Sequence, residues 1–165
     1  MSFTEDSRVK IPSILHLCRL GYEYISLKDT NLNIDTNTNI FKDIFNNSIK
    51  KINQDISEKE LKKTFEEITL CLENDDLGKK FYEMLVSPQK IKLIDFENFE
   101  KNNFNVVTEL TFKNDDDEFR PDLTILINGM PLAIVEVKKP NNRQGILAER
   151  KRMNTRFQNK KFKKF

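Results

Sequence analysis

Two short apolar segments separated by Asn128-Gly129 constrain the fold of this chain more than any other feature. Segments 123–127 and 132–138 are rich in β-branched residues and have the length of strands. An Asn-Gly pair between two such runs is a strong hairpin signal. Because successive side chains on a strand point to opposite faces, one face of this hairpin is wholly apolar. That face carries Leu123, Ile125 and Ile127 from the first strand and Ala133, Val135 and Val137 from the second.

The register of the hairpin follows if the two apolar sets are to coincide. Directly opposed residues must then have numbers of equal parity, which requires a loop of odd length. We expect a three-residue loop, Asn128-Gly129-Met130, which would place Asp122 beside Glu136. Lys138 would follow about 7 Å further along the same face. The hairpin is thus predicted to gather two carboxylates and one ammonium group at the end away from its turn.

This charged end of the hairpin favours metal-dependent chemistry. Carboxylates crowded beside apolar strands are costly unless a cation offsets their charge. Mg²⁺ suits them, because it takes one or two carboxylates and keeps waters for phosphate oxygens. A lysine nearby can orient the attacking water or stabilise charge on the phosphate. The pattern therefore favours phosphodiester hydrolysis, with Asp122, Glu136 and Lys138 as catalytic residues and the two carboxylates as Mg²⁺ ligands. The alternative is an ordinary ion-pair network that also includes Arg120 and Lys139.

The same residues resemble a known nuclease motif. Pro121-Asp122, followed after a strand and a turn by Glu136-Val137-Lys138, is similar to the PD-(D/E)xK motif. The surrounding phrases resemble, in order, the amino-terminal nuclease domain of the R subunit of type I restriction enzymes. These phrases are residues 94–98, 103–107, 128–132 and 136–140. The resemblance is best over residues 90–164 and looser over 4–24.

The resemblance implies a fold, an activity and partners. The fold is α/β: a restriction endonuclease-like mixed sheet flanked by helices, in a single domain (1–165) with an additional helical subregion at 40–87. The activity is Mg²⁺-dependent cleavage of double-stranded DNA in the restriction of foreign DNA. The partners are the modification (M) and specificity (S) subunits of a cytoplasmic complex. Many nucleases of this fold complete the metal site with an acidic residue on the first helix, and Glu5 is the matching position. Its alternative role is that of a helix-capping residue.

The carboxyl-terminal end departs from the resembled family. R subunits continue with another core strand, a helix bearing a Gln-x-x-x-Tyr motif and an ATP-driven translocase, and none of these lies within the 165 residues. The four glycines form no Walker-type loop, so ATP is expected only for the absent translocase. We therefore expect an amino-terminal fragment with a truncated carboxyl-terminal end. Two other functions stay open: another PD-(D/E)xK nuclease acting in repair, and a catalytically inactive remnant that binds DNA or a partner subunit.

Charge is distributed unevenly along the chain. Residues 143–165 hold nine basic residues and one acidic residue, so this segment carries +8 and the remaining 142 residues sum to −6. A basic segment on a mildly acidic body indicates contact with a phosphate backbone. The candidate DNA-binding residues are Arg143, Arg150, Lys151 and Arg156. The alternative is a solvated helix face.

Apolar periodicity and turn residues predict the remaining elements. We expect a first helix that either begins near the amino terminus and is kinked at Pro12, or starts near Pro12 after a short turn and ends before Gly21. Further helices are expected over 40–52, after a capping box at Ser57, from Asp76 to just before Pro88 and over 144–158. Strands are expected at 22–27, 90–96 and 104–112. The face of the first helix toward the core is expected to carry Ile14, Leu15, Cys18 and Leu20.

Composition excludes several classes of protein. No apolar run approaches the roughly 20 residues that span a bilayer, so no membrane association is expected. Cys18 and Cys71 lack the spacing of a zinc site and are expected to be buried free thiols. The chain has a single histidine, His16, so a histidine-based catalytic triad is not expected.

Overall fold

A mixed β-sheet with helices packed around it forms the centre of the molecule. The computed structural model describes residues 6–28, 31–74, 76, 78–87, 89–114, 117–139 and 143–158. The helices are α1 (Ile11–Arg19), α2 (Lys42–Ile52), α3 (Glu58–Leu72), α4 (Lys79–Val86) and α5 (Arg143–Gln158). The strands are β1 (Glu23–Ile25), β2 (Phe104–Thr108), β3 (Phe112–Asn114), β4 (Asp117–Phe119), β5 (Leu123–Ile127) and β6 (Met130–Val135). A π-helical segment (Asp6–Lys10) leads into α1, and a short 3₁₀ turn (Phe99–Lys101) precedes β2.

The main sheet has the strand order β1-β2-β5-β6. β1 runs parallel to β2, and the other neighbours are antiparallel. β3 and β4 form a separate two-stranded hairpin. This mixed sheet with its helices confirms the predicted α/β class.

Two apolar clusters form the core, and α2 contributes to both. Phe45 and Ile49 lie in one cluster with α3 and α4, while Ile44 packs against the other, beside β2 and β5. The helical stripe predicted for 40–52 is therefore buried between the other helices and the sheet. The capping box at the start of α3 is confirmed, because Ser57 and Glu60 each bond the other's backbone amide.

The hairpin between β5 and β6 differs from the predicted one at its turn. Ile127 pairs directly with Met130, so the loop has two residues and the predicted three-residue loop is wrong. Both Asn128 (φ 53°) and Gly129 (φ 76°) lie in the left-handed region, as a type I′ turn requires. Such a turn matches the twist of the flanking strands.

A β-bulge restores the predicted alignment further along the hairpin. Leu126 pairs with Pro131 while Ile125 pairs with Ala133, so Leu132 is the extra residue. Beyond it, Leu123 opposes Val135, with numbers of equal parity. Continuing the register by one residue sets Asp122 opposite Glu136. The expected alignment is thus present, although a bulge produces it rather than the loop.

The predicted strand at 90–96 is absent: this segment is irregular. Side-chain amides take the place of a neighbouring strand. Asn53 bonds both the amide and the carbonyl of Lys92, and Asn102 does the same for Asp95. Asn128 donates to the carbonyl of Leu93. Because the backbone polar groups find these partners, the centre of the segment, Leu93 to Asp95, is buried without joining a sheet.

Helix α1 is more exposed than predicted. Leu15 is 55% exposed and Leu20 64%, Cys18 is also exposed, and none of the nine residues of α1 is buried. Within the described residues, α1 packs mainly on the π-helical segment and β1, which leave its apolar side uncovered. Cys71 is half-buried and free, so the expectation of two buried thiols is wrong. None of the described helices combines the length and apolarity needed to cross a bilayer.

Candidate active site

Asp122 and Glu136 lie at the same end of the β5–β6 hairpin. Asp122 immediately precedes β5 and Glu136 immediately follows β6. The backbone amide of Val137 donates to Oδ2 of Asp122 at 2.9 Å. This hydrogen bond ties the aspartate to the chain that carries Glu136, and so fixes the two carboxylates on neighbouring strand ends.

The carboxyl group of Glu136 is held in an environment that disfavours its charge. Burial, the hydrogen bond to the Asp122 carboxylate and the negative charges of Asp122 and Glu149 together raise the pKa of Glu136 to about 7. Lys138 opposes this shift. A raised pKa on one carboxyl group beside a second carboxylate is typical of a site whose negative charge is only partly compensated.

Lys138 joins this group from the segment that follows β6. Its Nζ lies 3.7 Å from Oε2 of Glu136 and 3.6 Å from Oε2 of Glu149. The lysine side chain is 23% exposed, and the glutamates are 13% and 11% exposed. The structure therefore brings together the three residues predicted from sequence, Asp122, Glu136 and Lys138, in a largely shielded place.

Glu149 is a member of this cluster that the sequence reasoning missed. It lies on α5 and is bonded by Arg152 through two contacts, Nε to Oε1 at 2.9 Å and Nη2 to Oε2 at 2.6 Å. In the sequence it is the one acidic residue among nine basic ones in 143–165. That contrast is the signal that could have drawn attention to it.

A second ion pair approaches the site from the side of Asp122. Glu109 has a left-handed backbone (φ 57°), and its amide donates to the carbonyl of Asp122 at 3.3 Å. Lys10, which is almost fully buried, bonds the carboxylate of Glu109 at 2.7 Å. The Lys10 ammonium lowers the pKa of Glu109. The segment before α1 therefore reaches the neighbourhood of the site, while Glu5 itself lies outside the described residues.

The candidate DNA-binding residues lie on α5, the helix that carries Glu149. Arg143, Arg150 and Lys151 are exposed. Arg156 is within the helix, and its side chain lies outside the described part of the structure. Met153 packs against the cluster around β2 and β5. The helix thus contacts both the sheet and Lys138, with basic side chains open to solvent.

The donor set around Asp122 and Glu136 fits a hard divalent cation. Within the described residues, no three His, Cys, Asp or Glu side chains form a group that could hold a metal ion by themselves. Mg²⁺ does not need three, because it binds through one or two carboxylates and retains several waters. Oxygen ligands and a raised carboxyl pKa are the observations that fit this ion.

Comparison with known proteins places the chain in one family. Residues 2–164 match the family described as "Type I restriction enzyme R protein N terminus". A relative from Methanocaldococcus jannaschii, named "Putative type I restriction enzyme MjaIXP endonuclease subunit", is 34% identical over 163 residues. This alignment covers 85% of the chain and 16% of the relative. A second protein of that organism, named "Putative type I restriction enzyme MjaVIIIP endonuclease subunit", is 50% identical over 50 residues, which cover 30% of the chain and 5% of the relative.

The family match extends over almost the whole chain, including the hairpin and α5. The chain nevertheless spans only about a sixth of the length of the first of these relatives. It belongs to the family of type I restriction enzyme R protein amino-terminal regions.

Proposed function

We propose that the chain is the DNA-cleaving module of a type I restriction enzyme R subunit, a Mg²⁺-dependent endonuclease of the PD-(D/E)xK class. The observation that carries this proposal is the pairing of Asp122 with Glu136 at one end of the hairpin, with the Lys138 ammonium 3.7 Å from the Glu136 carboxylate. Family membership supports DNA as the substrate class, and the names of the relatives include "endonuclease subunit".

Each residue has a distinct task in this proposal. Asp122 and Glu136 hold the cation, which when bound supplies Lewis-acid activation of water and of the phosphate. Asp122 is oriented for this by the Val137 amide. Lys138 orients the attacking water and stabilises negative charge that develops on the phosphate oxygens. Because Glu136 and Lys138 are only 13% and 23% exposed, these electrostatic interactions are stronger than between fully solvated groups.

Binding to double-stranded DNA is assigned to α5. Arg143, Arg150, Lys151 and Arg156 would contact phosphates, which position a protein on DNA without reading its sequence. Recognition of the target sequence is assigned to the M and S subunits of the complex. ATP would be used by the translocase of the whole R subunit, outside this chain, and the complex would act in the cytoplasm. Glu5 remains a candidate third ligand.

The direct test is cleavage of supercoiled plasmid by the purified chain. We expect nicked and linear DNA in Mg²⁺, and none with EDTA. Binding is measured in parallel by fluorescence anisotropy with a labelled duplex in Ca²⁺, and should weaken steeply as salt is raised. A folded chain that binds DNA equally well with and without divalent metal, and never cuts it, would instead support the inactive binding remnant.

The metal-free chain should lose stability between about pH 4.5 and pH 7. The pKa of Glu136 in the folded chain is raised to about 7. The stability that the protonated Glu136 side chain contributes is therefore fully present below its unfolded pKa near 4.5, and it is lost as the pH rises through 7. We expect the free energy of unfolding to fall by on the order of 1–2 kcal/mol, after discounting for solvent screening. Thermal unfolding in EDTA at pH 4.5 and at pH 8 measures this loss of stability.

The matched variant for this measurement is Glu136→Gln, which should show a flatter pH profile. Adding Mg²⁺ at pH 8 should raise the unfolding temperature of the unmodified chain, because the cation favours the ionised carboxylates. It should not raise that of the variant. An unchanged pH slope in Glu136→Gln would contradict the assignment of the raised pKa to this residue.

A further inference from the structure

We propose that Glu149 is a positioning residue for Lys138, holding the lysine ammonium at the Asp122–Glu136 site from the side of α5. This inference rests on the proposed function, because it concerns the residue that orients the attacking water. Glu149 does not touch substrate in this scheme, and it acts through Lys138 alone.

The first support is geometric. The Lys138 Nζ lies nearly equidistant from two carboxylates, 3.7 Å from Glu136 and 3.6 Å from Glu149. The two come from different elements, since Glu136 follows β6 and Glu149 lies on α5. An ammonium group between two such anchors is restrained from two directions, whereas one anchor would leave the flexible stem free to swing.

The second support is that Glu149 is itself held in place. The Arg152 guanidinium donates to both oxygens of the Glu149 carboxylate, and this bidentate contact fixes the plane of the carboxylate. The glutamate side chain is only 11% exposed, while the guanidinium partner is 57% exposed. A shielded carboxylate that receives two cations is well suited to act as a fixed anchor, because breaking either pair leaves charge poorly compensated.

The third support comes from the division of tasks at the site. Glu136 is assigned to the cation, so its oxygens cannot serve chiefly as the anchor of Lys138. Glu149 approaches the ammonium from another element, α5, and has no such assignment to the cation. Ordering a lysine side chain costs up to about 2 kcal/mol in rotamer entropy. An anchor that already orders the lysine side chain before DNA binds keeps the ammonium group in a productive position.

The competing explanation is that Glu149 only attaches α5 to the sheet. A purely structural role predicts that its loss loosens the helix and weakens DNA binding and cleavage together. A positioning role predicts that the lysine loses order while α5 stays docked. The two explanations therefore differ in the property that the substitution affects: the docking of α5 in the first, and the order of the Lys138 side chain in the second.

The test compares Glu149→Gln with Glu66→Gln, a change of the same charge at an exposed position of α3. In Glu149→Gln we expect kcat for plasmid cleavage to fall roughly 10- to 100-fold. The Kd for a duplex in Ca²⁺ should change less than about twofold, since no phosphate contact is removed. Glu149→Asp keeps the charge and should recover part of the lost kcat. Glu66→Gln should match the unmodified chain.

A second readout does not depend on cleavage. NMR relaxation of the Lys138 Cε methylene reports the order of the side chain, and amide signals of α5 report helix docking. We expect the lysine order to fall in Glu149→Gln, to be intermediate in Glu149→Asp and to be unchanged in Glu66→Gln, with the amide signals retained. Unchanged lysine order, or loss of kcat and DNA affinity together with the α5 signals, overturns the proposal.

The two readouts also separate this inference from the proposed function. If the unmodified chain cuts no DNA in any divalent metal, the proposed function fails, and the relaxation data still decide whether Glu149 orders Lys138. If the chain cuts DNA and Glu149→Gln cuts equally fast, the endonuclease assignment stands and the positioning role is overturned.

Discussion

Replacing Lys138 by methionine should reduce DNA cleavage by about 100- to 1,000-fold, the loss typical of removing one group that stabilises charge in the transition state. Methionine keeps most of the apolar stem and removes only the ammonium group. DNA affinity in Ca²⁺ should change little, because α5 carries the proposed backbone contacts. Single-turnover cleavage of a labelled duplex in Mg²⁺ measures the loss.

Lys139 provides the matched control. It is the next residue in the chain and it is exposed, so Lys139→Met removes the same charge from the adjacent position. We expect this variant to cut at the rate of the unmodified chain. Equal rates for both variants would mean that Lys138 belongs to an ordinary ion-pair network and that the proposed site is wrong.

The alignment of Asp122 with Glu136 could be predicted because one constraint acts along the whole hairpin. The strand alternation that matches Leu123 with Val135 also aligns Asp122 with Glu136. This parity condition can be met by an odd loop or by an even loop with a bulge, and the pattern of apolar residues does not distinguish them. Pro131, the second residue of β6, is the sequence feature that favours a bulge, since proline in a sheet is confined to edges and bulges.

The strand wrongly predicted at 90–96 and the missed Glu149 share one physical cause: the deciding partner lies outside the local segment. The segment 90–96 has the composition of a strand, yet the amides of Asn53, Asn102 and Asn128 satisfy its backbone from outside the segment. Glu149 likewise acquires its role through contact with Lys138, 11 positions away on another element. Neither relation has a local pattern that periodicity could reveal.

The exposure of α1 has the same origin. Its apolar spacing predicts a face toward the core, but what covers such a face depends on other elements of the fold. Leu15 and Leu20 remain exposed among the described residues. The spacing therefore predicted the helix correctly, and the burial of its residues incorrectly.

The turn of the hairpin should be the most sensitive point of the fold. Gly129 has φ 76°, and a Cβ at this position would lie 2.7 Å from the carbonyl oxygen of Phe41 and 2.8 Å from the amide nitrogen of Phe45. Both contacts are backbone atoms at the start of α2, which cannot rotate away as a side chain could. The Gly129 carbonyl also accepts the amide of Phe41 at 2.9 Å. The turn is therefore fastened to the helix through its own backbone.

Gly129→Ala should destabilise the chain by about 3 kcal/mol, of which about 1–2 kcal/mol is the cost of a left-handed backbone and the remainder that of overpacking. The control is Gly21→Ala, because Gly21 also has positive φ (97°) but no atom lies within 4 Å of the added Cβ. This control should lose only about 1–2 kcal/mol. Urea unfolding followed by circular dichroism measures both free energies, and the difference isolates the contact with α2. Equal losses would show that the turn and the helix move apart at little cost. In that case the hairpin register, and with it the alignment of Asp122 and Glu136, would depend on the bulge at Leu132 rather than on the turn.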